Sequence, residues 1–114
     1  MLDGVVVLRP AMSKAVVELT GEHDLYSKDA MRALLTELVE ANDLVVVDLS
    51  EAEFIDSSLI HNLASIDQLA RDRGSHFRIQ LHTAAIVEKA LEITGMLDSL
   101  ECVSDRDAAL RDPV

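Results

Sequence analysis

The sequence predicts a single α/β domain in which a mixed sheet of about four or five strands is layered with about four helices. Three observations carry this. Segments of strand length recur, as apolar runs at 5–8 and 44–49 and as alternating apolar and polar residues at 14–20 and 76–81. From Ser27 onward they are separated by stretches whose apolar residues follow the three-and-four spacing of an amphipathic helix. No linker, low-complexity tract or internal repeat divides the 114 residues, a length suited to one core.

The elements follow in order. "VVVL" at 5–8 is expected to form an edge strand, with a turn of Pro10, Ala11, Met12 and Ser13 leading back along "KAVVELT" at 14–20 as an antiparallel hairpin. In that second strand a period of two sets Ala15, Val17 and Leu19 on the core face, opposite Lys14, Val16, Glu18 and Thr20. "LTGEHD" reads as a turn followed by acids. From Ser27 to Asn42, Met31, Leu34, Leu35, Leu38 and Val39 mark a helix, with Ser27 and Asp29 favourable near its start.

"LVVVDL" at 44–49 is apolar on both faces until Asp48, the pattern of a central strand covered on two sides. After "SEAEFI", whose Phe54 and Ile55 read as a buried pair, a helix from Ser57 to Arg73 places Leu59, Leu63, Ile66 and Ala70 on one stripe and ends at Gly74. In "HFRIQL", 76–81, Phe77, Ile79 and Leu81 are expected inward and His76, Arg78 and Gln80 outward. A helix over 84–94 with Val87, Ala90 and Leu91 inward stops at Gly95. "LECV" at 100–103 makes a last edge strand, before a short terminal helix capped by Ser104. Parallel strands in this order require right-handed helical crossovers.

Composition narrows the function. A formal net charge of −11 disfavours binding to phosphate backbones, so nucleic acid is not an expected partner, whereas a basic protein surface is compatible. No apolar run exceeds four residues, far below the roughly 20 that span a bilayer, so no direct membrane insertion is expected. "MLDGVVVLRP" has an acid where an export signal carries positive charge. The lone Cys102 fits a reducing cytoplasm and reads as a small buried hydrophobe.

Chemistry concentrates in "FIDSSLIHNL", 54–63. Asp56 is placed to cap the following helix through the amides of Ser58 or Leu59. The same helix start tolerates an added phosphate, because its spare N–H donors and partial positive charge favour anions. Phosphorylation adds about −1.5 to −2 charges beside Asp56, Glu53 and Glu51. Ser58 and His61 lie on one helical face, with Asp24 or Asp56 able to orient the imidazole, but no G-x-S-x-G elbow or oxyanion loop accompanies them. An enzyme is not expected. His23, His61, His76 and His82 lack metal-ligand spacing, and Gly4, Gly21, Gly74 and Gly95 are isolated, so neither a metal nor a nucleotide cofactor is expected.

Three segments, "VVELTGEHDLYSKDAMRALL" at 16–35, "VVVDLSEAEFIDSSLIHNLASI" at 45–66 and "AAIVEKALEITGMLDSL" at 84–100, resemble the STAS domain family of bacterial anti-sigma-factor antagonists in its own order over nearly the whole of 1–114. The resemblance implies a cytoplasmic phosphoprotein acting in transcription regulation. It would bind an anti-sigma factor that is also a serine kinase, until phosphorylation of the second hydroxyl, Ser58, ends the contact. Ser57 is the alternative acceptor, and Asp24, Asp56, Ser57, Ser58 and His61 would form the partner-binding surface. The family's pattern continues Asp-Ser-Ser-Gly-Leu-Gly, whereas Leu59, Ile60 and His61 follow here. Replacing both glycines exchanges approachable backbone for larger side chains. Leu59 is expected on the core stripe and His61 at the surface. STAS-like proteins also serve as accessory subunits of membrane transport ATPases, the alternative role.

Overall fold

A computed structural model describes residues 3–23, 27–81 and 85–112. Five strands form one sheet in the order β1-β2-β3-β4-β5: Val5–Ala11, Lys14–His23, Leu44–Ile55, His76–Gln80 and Glu101–Val103. β1 and β2 are antiparallel, and every later pair is parallel. The crossovers are helical: α1 (Lys28–Ala41), α2 (Ser57–Arg73) and α3 (Ala85–Ile93) with α4 (Met96–Ser99), while α5 (Arg106–Leu110) follows the last strand. β3 is central and β1 and β5 are the edges, as the patterning predicts. No described helix is long and apolar enough to cross a membrane.

The larger core lies between one sheet face and the helices. Ala15, Val17 and Leu19 from β2, Val45, Val47 and Leu49 from β3, and Phe77 and Ile79 from β4 meet Met31, Leu35, Leu38 and Val39 of α1. Leu59, Leu63, Ile66 and Ala70 of α2 and Val87 and Leu91 of α3 complete it. These are the faces the periodicities select. Gly74 closes α2 at φ 74°, and its N–H reaches the carbonyls of Ala70 and Arg71.

Part of the opposite face is covered as well. Val16, Leu44 and Val46 form a second buried cluster with Ala109, because α5 folds back across the sheet. Three cations fix it there. Arg106 donates to Asp48 (2.7 Å), Glu18 (2.8 Å) and Gln80 (2.8 Å). Arg78 donates to the carbonyls of Ala109 (2.9 Å) and Arg111 (2.6 Å) and to Glu101 (2.9 Å). Lys14 reaches the Leu110 carbonyl at 2.8 Å. Arg78 and Gln80, expected outward, do point away from the main core, but α5 buries both. Its cap is Asp105, which accepts from the Ala108 amide, and not Ser104.

The strands run further than expected. β1 continues through Pro10 to Ala11, with a register shift between Leu8 and Ala11, and the turn contracts to Met12 and Ser13, the latter at φ 62°. Pro10 is tolerated in this edge strand at the irregularity. β2 and β3 go on past the last β3–β4 pair, Asp48 and Gln80, as far as His23 and Ile55. "GEH" and "SEAEFI" are therefore paired strand, and α4 is an additional helix turn begun at Gly95, φ 78°.

Cys102 is half-buried and packs against the main core, and burial pushes its thiol pKa up. Arg106→Met should lower the unfolding free energy by about 2 kcal/mol, because Asp48 would be left buried with its cation removed. Urea denaturation checks this, and adding Asp48→Asn should recover part of the loss.

Candidate functional site

Where the β2–β3 extension ends, the chain turns from Ile55 into α2. Asp56 holds an extended backbone (φ −102°, ψ 179°), and its Oδ1 accepts from the amides of Ser58 (3.0 Å) and Leu59 (3.1 Å). The same oxygen accepts the Ser58 hydroxyl at 2.5 Å, a short charge-assisted bond. The expected cap is thus present, and it also fixes the direction of the Ser58 Oγ–H. Ser57 is exposed and Ser58 half-buried. A hydroxyl oriented by a carboxylate at a helix N-terminus can receive a phosphoryl group, since the remaining amides and the helix dipole favour the added anion.

The other expected members divide. His61 is exposed one turn into α2, and Glu51 and Glu53 are exposed before it. Leu59 and Ile60 are buried in the main core, so the residues replacing the family's Gly-Leu turn inward rather than covering the helix start. Asp24 lies outside the described residues.

Two residues escaped the sequence reading. Asn62 is fully buried, donating from Nδ2 to the carbonyl of Lys28 at 3.0 Å, and this ties the start of α2 to the start of α1. Its Oδ1 has no hydrogen-bond partner among the described residues. Its position, three after Leu59 and four before Ile66, lies on the apolar stripe, and that spacing could have marked it. Phe54, expected to be buried with Ile55, is 40% exposed. It pairs with Glu22 on the face of Asp48, beyond two irregularities at which β3 carries one residue more than β2: Glu18 and Thr20 pair with Asp48 and Glu51, and Gly21 and Glu22 pair with Ala52 and Phe54. The first turns Glu51 out and Ala52 into the core, and the second restores the alternation, so Phe54 lies on the face of Asp48, as it would without either, and Ile55 on the core face of Leu49.

Solved structures share this fold. An anti-sigma factor antagonist from Mycobacterium paratuberculosis is 22% identical with a TM-score of 0.75, over 95% of this chain and 92% of that one. The antagonist SpoIIAA in its unphosphorylated form is 17% identical with a TM-score of 0.76, over 91% of each chain. The Bacillus cell fate determinant SpoIIAA in its phosphorylated form is 16% identical with a TM-score of 0.69, over 91% of this chain and 95% of that one. A sulfate transporter family protein from Wolinella succinogenes is 17% identical with a TM-score of 0.73, over 88% and 84%. Among curated proteins, none matches. The family model described as "Mlab, STAS domain" matches residues 7–103, and with the sheet order and capped second helix already in view, the chain belongs to the STAS domain family.

Proposed function

We propose that this STAS domain is a cytoplasmic, non-enzymatic antagonist that binds an anti-sigma factor with serine-kinase activity, and that phosphorylation of Ser58 ends the binding and so regulates transcription. The observation that carries this reading is the Ser58 hydroxyl held on Asp56 at the start of α2. Asp24, Asp56, Ser57, Ser58 and His61 form the docking surface, and the kinase supplies ATP and Mg²⁺. Transfer forms a bond from Ser58 Oγ to the γ-phosphorus, breaks the phosphorus–oxygen bond to ADP and releases the hydroxyl proton. The product has no hydroxyl donor for Asp56 and sets a dianion beside its carboxylate. A partner docked there would have to desolvate both charges, which opposes the contact. The solved likeness to SpoIIAA, known in both phosphorylation states, is consistent with this reading at the level of fold.

A second reading is favoured by the absence of both family glycines, where Leu59 and His61 stand. A helix start without them suits a constitutive accessory subunit of a transport ATPase, and a sulfate transporter family protein shares the fold. This role needs no phosphate, and stable co-purification with an ATPase would support it.

Intact-mass analysis of protein from its native host should show a gain of about 80 Da on the peptide containing Ser57 and Ser58, changing between growth and stress. An unmodified peptide in every state would favour the ATPase reading. Ser58→Ala should abolish the gain; retention of it would move the acceptor to Ser57. Ser58→Glu should weaken binding to the cognate kinase at least about tenfold, as read by calorimetry. Asp56→Ala should cost about 1 kcal/mol of stability through loss of the cap, measurable by urea denaturation.

A further inference from the structure

The sheet face that carries α5 is only partly covered. Residues opposite one another in register share a face, so Val6 (opposite Glu18) and Leu8 (opposite Val16) lie on this side with Thr20 and Glu22 of β2. Glu51, opposite Thr20, and Phe54, opposite Glu22, continue it on β3. All six are exposed, and Val6 (50%), Leu8 (36%) and Phe54 (40%) are large apolar side chains facing water. The patch is apolar and acidic. From Ala15 to Ser27 and from Asp43 to Ala70 the sequence has no Lys or Arg.

α5 shows what kind of element this face accepts. It sets Ala109 on Val16, Leu44 and Val46 while Arg106 answers Glu18 and Asp48. Being only five residues long, it stops short of the rest. Beyond it the same chemistry repeats, with acids at Glu22 and Glu51 among the apolar Val6, Leu8 and Phe54. Four residues along the strand and two strand spacings separate Val6 from Phe54, about 13 Å by 10 Å, or a diagonal of roughly 16 Å. That is the rise of about three helical turns.

We propose that this uncovered face docks a basic amphipathic helix of a partner protein, lying beside α5, with apolar side chains on Phe54, Val6 and Leu8 and Lys or Arg side chains on Glu22 and Glu51. The first irregularity in β3 serves this surface by turning Glu51 outward, and the second restores the alternation that keeps Phe54 on the same face. The site lies on the opposite side of the sheet from α2, and it stands whether or not Ser58 is a phosphorylation switch.

The test titrates a synthetic helical peptide of roughly four turns, leucine along one face and arginine on its flanks, into the isotopically labelled full chain followed by NMR. Amide shifts should cluster on the six patch residues, and Phe54→Ser and Glu51→Lys should each weaken binding about tenfold. Glu51→Lys alters an exposed side chain, so it reports on docking even if Phe54→Ser fails to fold. The same peptide with glutamate for arginine should not bind, and Ser58→Glu should leave the affinity within about twofold. Shifts centred on the start of α2, equal binding of the acidic peptide, or no saturable shift would overturn the proposal. Concentration-dependent shifts at the same residues without peptide would also overturn it, by giving the face to a second copy of this chain.

Discussion

Burial of β3 on both faces is the constraint from which the rest of the structure follows. Leu44 through Leu49 are all buried, so a helix layer on one side is not enough. The first face is closed by α1, α2 and α3, which the parallel pairing of β2, β3 and β4 requires in any case, since parallel neighbours need crossovers. The second is closed by α5, a helix too short to be stable alone. Its attachment is therefore largely polar at the rim and apolar at the centre. Arg106 and Arg78 satisfy the acids and carbonyls that closing this face would otherwise strand, and Asp48 is held in the interior by Arg106 over it and by the Ser50 amide, which donates to its Oδ1.

Past Asp48 the constraint relaxes, and this is where the molecule becomes distinctive. β4 ends, β2 and β3 continue as a pair, and the pairing tolerates two extra residues in β3 because only one side still packs against a core. Each irregularity resets which side chains face inward. The outcome is one small region with three kinds of surface. Ile55 anchors the main core, Phe54 and its neighbouring acids face water on the α5 side, and Asp56 with Ser57 and Ser58 opens α2 on the other. Both candidate docking surfaces thus branch from a single strand end.

The helix start itself is tightly organised. One carboxylate oxygen of Asp56 receives two amides and a hydroxyl, while Leu59 and Ile60 draw the first turn into the core and Asn62 joins it to Lys28. In the proposed switch, control comes from charge placed on a surface that these bonds already hold. A phosphoryl group at Ser58 is one such charge. The same organisation also suits a constitutive contact, which is why the two functional readings share a geometry and differ only in the chemistry of Ser58.

The sequence by itself determined the elements whose information is local. Alternation in 14–20 and 76–81, the helical stripes, the Asp56 cap and the Gly74 stop are fixed by neighbours a few residues away, and each stands in the structure as patterned. Family membership was legible in the same segments. What only the tertiary structure decided depends on partners distant in sequence. Arg78 and Gln80 are buried because α5 returns over them, and Ala52 rather than Glu51 faces the core because pairing with β2 inserts a residue into β3. Asn62 is buried because α1 packs against it, and strand pairing carries "GEH" and "SEAEFI" beyond the ends their composition suggested. A side chain's face in a sheet is set by register, and register is a property of two chains' worth of hydrogen bonds, which one strand's pattern cannot specify.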